Sequence, residues 1–198
     1  MLQSILVTGG AGYIGSHACK ALAAAGYIPV VYDNLSRGRR HAVRWGPFVE
    51  GDIEDRARVA ATLRAHRIAS VMHFAAFAYV AEAVADPAIY YRNNLAGSLA
   101  LLDAMRQEGG DCLVFSSSCV VYGVPDSVPI REMTPVRPVN PYGETKLAVE
   151  RALPWYEQAY GLRFVALRYF NAAGADRDGE IGNEHNPETR LIPLVLRA

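Results

Sequence analysis

The sequence contains no Cys-x-x-Cys pair and only three cysteines, Cys19, Cys112 and Cys119. An odd number at irregular spacing offers neither a disulfide framework nor a structural metal site, and points to a reducing compartment. Neither charge is in excess, since 20 basic residues meet 20 acidic ones. That balance excludes bulk attraction to nucleic acid or to an anionic membrane surface. Long apolar runs are also missing. The opening Leu-Gln-Ser-Ile-Leu-Val is too short for a secretory signal core, and no segment reaches bilayer-spanning length. A cytoplasmic location is the expectation. Internal repeats and low-complexity linkers are absent. What is present is apolar content: 51% of 198 residues, spread along the whole chain and sufficient for one well-cored domain.

Strand and helix signals alternate. β-type runs cover Ile5 to Thr8, Ile28 to Tyr32, Phe48 to Glu50, Ser70 to Phe74, Leu113 to Ser116 and Phe164 to Arg168. Helical patterns cover Ile14 to Ala25, Asp55 to His66, Ala88 to Gln107 after Pro87, and Pro141 to about Tyr160. Pro154 predicts a kink or break near Leu153. Such alternation implies βαβ units: an α/β, Rossmann-type, doubly wound parallel sheet with helices on both faces. After Asn171 the texture changes. Ala172 to Glu188 reads as loop, and Leu191 to Ala198 begins an apolar helix without a cap signal. The expected division is a cofactor domain over 1–170 and the start of a substrate-binding region over 171–198.

The first strand runs into Thr-Gly-Gly-Ala-Gly-Tyr-Ile-Gly, Thr8 to Gly15. Gly10, Gly12 and Gly15 fit one dinucleotide spacing, and Gly9, Gly12 and Gly15 fit a second. One glycine permits the turn, one lets a pyrophosphate approach the backbone, and one packs helix on strand. The helix N-terminus adds free N–H groups and a positive dipole end. Asp33 ends the next strand 18 positions after Gly15, near the spacing of a ribose-binding acid. A carboxylate there accepts from both ribose hydroxyls and repels a 2′-phosphate, so NAD is expected over NADP. Arg37, Arg39 and Arg40 follow closely and read as a solvated loop.

Asn-Pro-Tyr-Gly-Glu-Thr-Lys, Asn140 to Lys146, sets an N-cap and a first-turn proline ahead of Tyr142 and Lys146. These two lie four apart on one helical face, where an ammonium lowers a phenol's pKa and readies it as a general base. The spacing alone more often describes a surface tyrosine beside a surface lysine. Ser116 to Ser118 end a strand, either as caps or as hydroxyls at the ligand-binding edge of the sheet. Asn93 serves either a backbone group or the cofactor. His73, after an apolar strand, reads as a satisfied core residue.

Together these residues resemble the extended short-chain dehydrogenase/reductase superfamily, and within it the N-terminal portion of the UDP-glucose 4-epimerase family. The supporting stretches are Gly-Gly-Ala-Gly-Tyr-Ile-Gly-Ser-His, Tyr-Asp-Asn-Leu, Gly-Asp-Ile, His-Phe-Ala-Ala, Ser-Ser-Ser-Cys-Val-Val-Tyr-Gly, Asn-Pro-Tyr-Gly-Glu-Thr-Lys and Leu-Arg-Tyr-Phe-Asn, in family order over essentially the whole chain. The resemblance implies NAD as cofactor, a UDP-sugar as substrate and a homodimer. By it, Gly12, Tyr13 and Ile14 meet the pyrophosphate, with Gly9 and Gly15 framing the turn. Asp33 and Asn34 meet the ribose, and Asp52 and Ile53 border the adenine. Phe74, Ala75 and Asn93 line the cleft, and Phe170 touches the nicotinamide end. Ser118, Tyr142 and Lys146 form the catalytic trio; Ser118 and Tyr142 also contact the sugar, Tyr142 and Lys146 also contact the cofactor, with Lys146 on the nicotinamide ribose, and Asn171 holds the sugar nucleotide.

The implied reaction is 4-epimerisation of UDP-glucose and UDP-galactose by transient oxidation at carbon 4. Alternatives are a UDP-pentose 4-epimerase, a nucleotide-sugar 4,6-dehydratase and a non-catalytic NAD-binding fragment. The dehydratases carry an acidic pair after the serine, where this chain has Cys119 and Val120. Three departures from the family stand out: Ala78 in place of a frequent lysine, Arg190 in place of a polar residue, and a length short of the family's, which implies a truncated chain with little turnover of its own.

Overall fold

The computed structural model describes residues 2–184, 188 and 190–197. Six strands form one sheet: β1 (Ser4–Thr8), β2 (Ile28–Asp33), β3 (Phe48–Glu50), β4 (Ser70–His73), β5 (Cys112–Ser116) and β6 (Arg163–Leu167). Their order is β3-β2-β1-β4-β5-β6 and every neighbouring pair is parallel. This is the doubly wound order that the alternating pattern implied. The winding reverses between β1 and β4, which opens a crevice at the carboxyl ends of those strands.

Alternate residues of the central strands serve opposite faces. Leu6, Val30 and Val71 pack with α2 (Arg56–Ala65), α5 (Gly97–Glu108) and α6 (Pro141–Tyr160) through Leu63, Leu101, Met105 and Leu153. Val7 and Val31 pack on the other side with Cys19 of α1 (Tyr13–Ala24) and with Trp45. β6 departs from this two-sided burial, with Val165 and Leu167 part-exposed.

Helix ends follow local chemistry. Asp55 caps α2 by accepting from Arg58 N, and Asn140 caps α6 by accepting from Gly143 N at 2.9 Å. α5 and α6 end at Gly109 and Gly161, both left-handed. Two features depart from the sequence expectation. α6 runs unbroken through Pro154. The proline is exposed, so its missing N–H falls on the solvent side, while buried Leu153 and Val149 hold the helix to the core. The helix predicted over Ala88 to Gln107 is instead composite: α4 (Pro87–Tyr90), a π-helical stretch Tyr91–Ala96, then α5. A short helix α3 (Val80–Ala85), not anticipated, precedes it.

The loop after β6 crosses back over α1. Lys20 is bonded to Asp176 and Asp178 and paired with Glu180, while Arg44 pairs with Glu180 and Arg39 with Glu184. The Tyr13 hydroxyl donates to Gly174 O at 2.5 Å. Positions 185–187 of the predicted loop, and Ala198 of the predicted last helix, lie outside the described residues. α7 (Leu191–Arg197) carries exposed Leu191, Ile192, Val195 and Leu196. No helix of the described residues is long and apolar enough to cross a membrane.

Candidate active site at the β1–β4 crevice

The glycine turn is built from close backbone approaches. Gly9 has φ +70°, and a Cβ there would lie 2.5 Å from Ala75 N. A Cβ on Gly15 would lie 2.2 Å from Gly9 O, so helix and turn touch only because both residues lack side chains. Gly12 differs, since its Cβ would meet only Gly9 O at 3.2 Å. It is also the N-cap of α1 and brings no side-chain cap. Gly9 and Gly15 thus stand at the tightest backbone approaches of the turn, while Gly10 packs against Val31 and Val7 O. Gly12 leaves room for an anion at the dipole end of the helix.

Asp33 is buried at the end of β2. One carboxylate oxygen accepts from Ala11 N at 3.0 Å and the other from Leu35 N at 2.8 Å. Burial pushes its pKa up, and these two amides work in the opposite direction. Asn34 donates to Asp52 at 2.8 Å, which links the two loop ends. Ile53 turns its side chain into the core, where it packs against Gly97. Of the three loop arginines, Arg37 pairs with Glu82 and lies over the Phe77 ring, and Arg40 lies over the Phe48 ring. Arg39 belongs to the crossing loop's ion pairs. They are engaged rather than simply solvated.

At β4 the chain of hydrogen bonds fixes a tautomer. Ser98 Oγ donates to Asn94 O, so His73 Nε2–H donates to Ser98 at 2.8 Å and Nδ1 accepts from Thr8 at 2.6 Å. The neutral ring is thus a strut, as the apolar setting suggested. Burial, helped by Lys146, pushes its pKa down to about 3. An unfolded histidine titrates near pH 6.5. Between about pH 6.5 and 3 the unfolded state then binds the extra proton. Stability should be highest above that window and fall on acidification, by up to about 1.4 kcal/mol per pH unit from this group. Urea unfolding of the native protein and of His73→Gln across pH 4–7 should show a shallower slope in the variant. Parallel slopes would rule the account out.

Asn93 donates to Asn94 at 2.8 Å, and it is the buried Asn94 that organises the cleft wall. Asn94 accepts from Phe77 N at 2.8 Å and donates to Phe77 O at 3.0 Å and Thr145 at 3.3 Å. It thereby ties the loop after Phe74 and Ala75 to α6. Sequence reasoning passed over it. The available signal was a pair of asparagines, poor helix formers, inside a helical pattern, at the π-helical stretch.

α6 brings its N-terminus against the strand-end turn because Gly143 has no side chain. A Cβ there would lie 2.9 Å from Pro138 and 3.1 Å from Val120 O. Tyr142 is in consequence brought beside the Ser118 hydroxyl, which accepts from Val120 N at 3.3 Å. Lys146 is only 3% exposed; its Nζ donates to Ser116 O at 2.8 Å and lies over the Phe115 ring. Burial pushes its pKa down to about 7, against an opposing pull from Glu150. The expected lowering of the Tyr142 pKa by Lys146 is not found. Burial raises it, and the adjacent Ser118 hydroxyl offsets part of that rise. The reason is placement: the ammonium is directed at the Ser116 carbonyl. Phe170 and Asn171, beyond β6, are exposed, Phe170 by 58%, and neither forms a side-chain hydrogen bond among the described residues.

A family model described as "NAD dependent epimerase/dehydratase family" matches residues 5–198. A UDP-glucose 4-epimerase of Rhizobium leguminosarum bv. trifolii is 55% identical over 196 residues, covering 99% of this chain and 60% of the relative. The crystal structure of UDP-glucose 4-epimerase from Brucella ovis in complex with NAD is 59% identical with a TM-score of 0.95, over 97% of this chain and 59% of that one. The Stenotrophomonas maltophila UDP-glucose-4-epimerase with bound NAD and formylated UDP-arabinopyranose is 40% identical, TM-score 0.95, over 98% and 61%. The chain thus spans about 60% of the length of these relatives.

Proposed function

Because the chain belongs to the NAD dependent epimerase/dehydratase family, we propose that it binds NAD in the β1–β4 crevice and serves 4-epimerisation of a UDP-sugar. The observation that carries this reading is the placement of Tyr142 and buried Lys146 on one face of α6, set against Ser118 and the Ser116 carbonyl at the ligand-binding end of the sheet. Residues 1–170 form the cofactor domain in this reading, and 171–198 begin the substrate region. Gly9, Gly12 and Gly15, with Tyr13 and Ile14, frame the pyrophosphate site. Asp33 faces the adenosine ribose, with Asn34, Asp52 and Ile53 beyond it and Phe74, Ala75 and Asn93 along the wall.

Bound NAD supplies the hydride acceptor and donor and, when oxidised, a positive charge beside the phenol. Tyr142 takes the proton of the sugar's 4-hydroxyl and later returns it. Ser118 hydrogen-bonds the reacting oxygen. Lys146 holds positive charge behind the phenol. Phe170 and Asn171 belong to the nicotinamide and sugar-nucleotide ends. Three free cysteines suit a cytoplasmic protein, and the family resemblance supports a homodimer.

The test is conversion of UDP-galactose by the full-length gene product loaded with NAD or with NADP. We expect a UDP-glucose/UDP-galactose mixture with NAD and almost none with NADP, since Asp33 repels a 2′-phosphate. Equal activity with both would sink the assignment of Asp33, and no conversion would sink the substrate.

A further inference from the structure

Glu150 lies outside the trio yet is buried on the same stripe of α6, four residues beyond Lys146 and eight beyond Tyr142. Arg168, just after β6, grips it with three bonds: Nε to both carboxylate oxygens at 3.0 Å and Nη2 to Oε2 at 2.6 Å. The Ser117 hydroxyl donates to it as well. Three successive serines at the end of β5 thus each meet one residue of the stripe. Ser118 lies beside Tyr142, the Ser116 carbonyl accepts from Lys146, and Ser117 bonds Glu150.

We propose that Glu150 is a positioning residue which, clamped by Arg168, locks the Ser116–Ser118 strand end to α6 and supplies the negative charge that balances Lys146. This rests on the reading of Tyr142 and Lys146 as the reacting pair. Among the described residues, the groups on the elements packed around Lys146 include these. Tyr142 and Glu150 share its helix, neutral His73 ends β4, the Phe115 ring and Ser116 carbonyl lie on β5, and Arg168 and Tyr169 follow β6. Only Glu150 among them brings a negative charge. Its loss would leave the Arg168 guanidinium uncompensated as well.

The sequence makes a direct test practical, because it contains two lysines, Lys20 and Lys146. Asp176 and Asp178 hold the Lys20 ammonium charged well above the usual lysine range. In a chain labelled with 13C-lysine, only the Lys146 Cε signal should therefore titrate between pH 5 and 9, near pH 7. Glu150→Gln preserves shape and removes charge. It should lower the Lys146 midpoint by about one pH unit or more, the effect of losing a nearby opposite charge. Glu150→Asp should restore most of the shift, and Ser117→Ala, which keeps the charge, should leave the midpoint in place. Arg168→Gln should move it upward, a shift of opposite sign that remains informative if Glu150→Gln does not fold. An unchanged midpoint in either charge variant overturns the proposal.

Turnover separates this from failure of the underlying reading. In the full-length gene product, Glu150→Gln should move the pH at which kcat falls with loss of the Lys146 ammonium downward, by the same step as the midpoint, with KM unchanged within about twofold. If Tyr142→Phe kept its activity, the reading itself would fall, whatever the Lys146 midpoint showed.

Discussion

Replacing Tyr142 by Phe should lower epimerisation by the full-length gene product by about two to four orders of magnitude, the usual worth of general acid–base catalysis. NAD affinity should stay within a few-fold. The ring remains packed edge-on against Tyr90 at 6.4 Å, and the lost hydroxyl lies beside Ser118. No glycine of the turn is disturbed. Stopped-flow absorbance of the bound cofactor and a coupled turnover assay would separate the two effects. Near-normal turnover would exclude Tyr142 as the base. A parallel collapse of NAD binding would instead make it a structural residue. Burial raises the Tyr142 pKa in the folded chain, so activity should climb with pH through the acid limb as the phenol ionises.

The second large effect concerns the turn itself. Gly9→Ala should destabilise the fold by about 2–5 kcal/mol, since a left-handed residue with a side chain costs about 1–2 and an overpacked contact about 1–3. The new methyl would lie 2.5 Å from Ala75 N and 2.7 Å from Phe74 C, both backbone atoms with little freedom to yield. Against a total stability of about 5–15 kcal/mol this is a severe loss. Gly12→Ala should behave differently. Its methyl meets a single atom at 3.2 Å, so stability should fall by about 1 kcal/mol at most, the cost of a poorer N-cap. NAD affinity should nevertheless drop tenfold or more, because that methyl fills the space a pyrophosphate needs. Urea midpoints and cofactor titrations on both variants would decide the matter. Equal stability losses at the two positions would refute the division of roles.

Much of this was legible beforehand because the informative residues act locally. Strand period, helix period, Asn140 with Pro141, and the glycine spacing each depend on a few neighbours, and the elements and sheet type follow from them. What escaped the sequence depends on contacts across the fold. The π-helical stretch serves Asn94, whose partners are Phe77 and Thr145, and nothing near Asn94 in the chain announces them. Pro154 reads as a break until the burial of Leu153 beside it is known. The Tyr142–Lys146 spacing was visible, yet the direction of the ammonium was not, because the Ser116 carbonyl lies 30 positions away. Arg168 and Glu150 look like ordinary surface charges until β6 is placed beside β5.

The strand order also has a consequence for synthesis. β1 occupies the middle of the sheet, and its two neighbours emerge from the ribosome at different times. β2 arrives soon after, but the Thr8–His73 link to β4 joins residues 65 positions apart. At about 5–20 residues per second, roughly 3–13 s pass between the two. During that interval Ile5, Leu6 and Val7 offer an open, apolar strand edge, the kind of template that recruits other chains. Faults in the β3–β4 segment should therefore cost soluble yield before they cost activity, and the protection of β1 in a nascent chain falls to α1 and β2 alone.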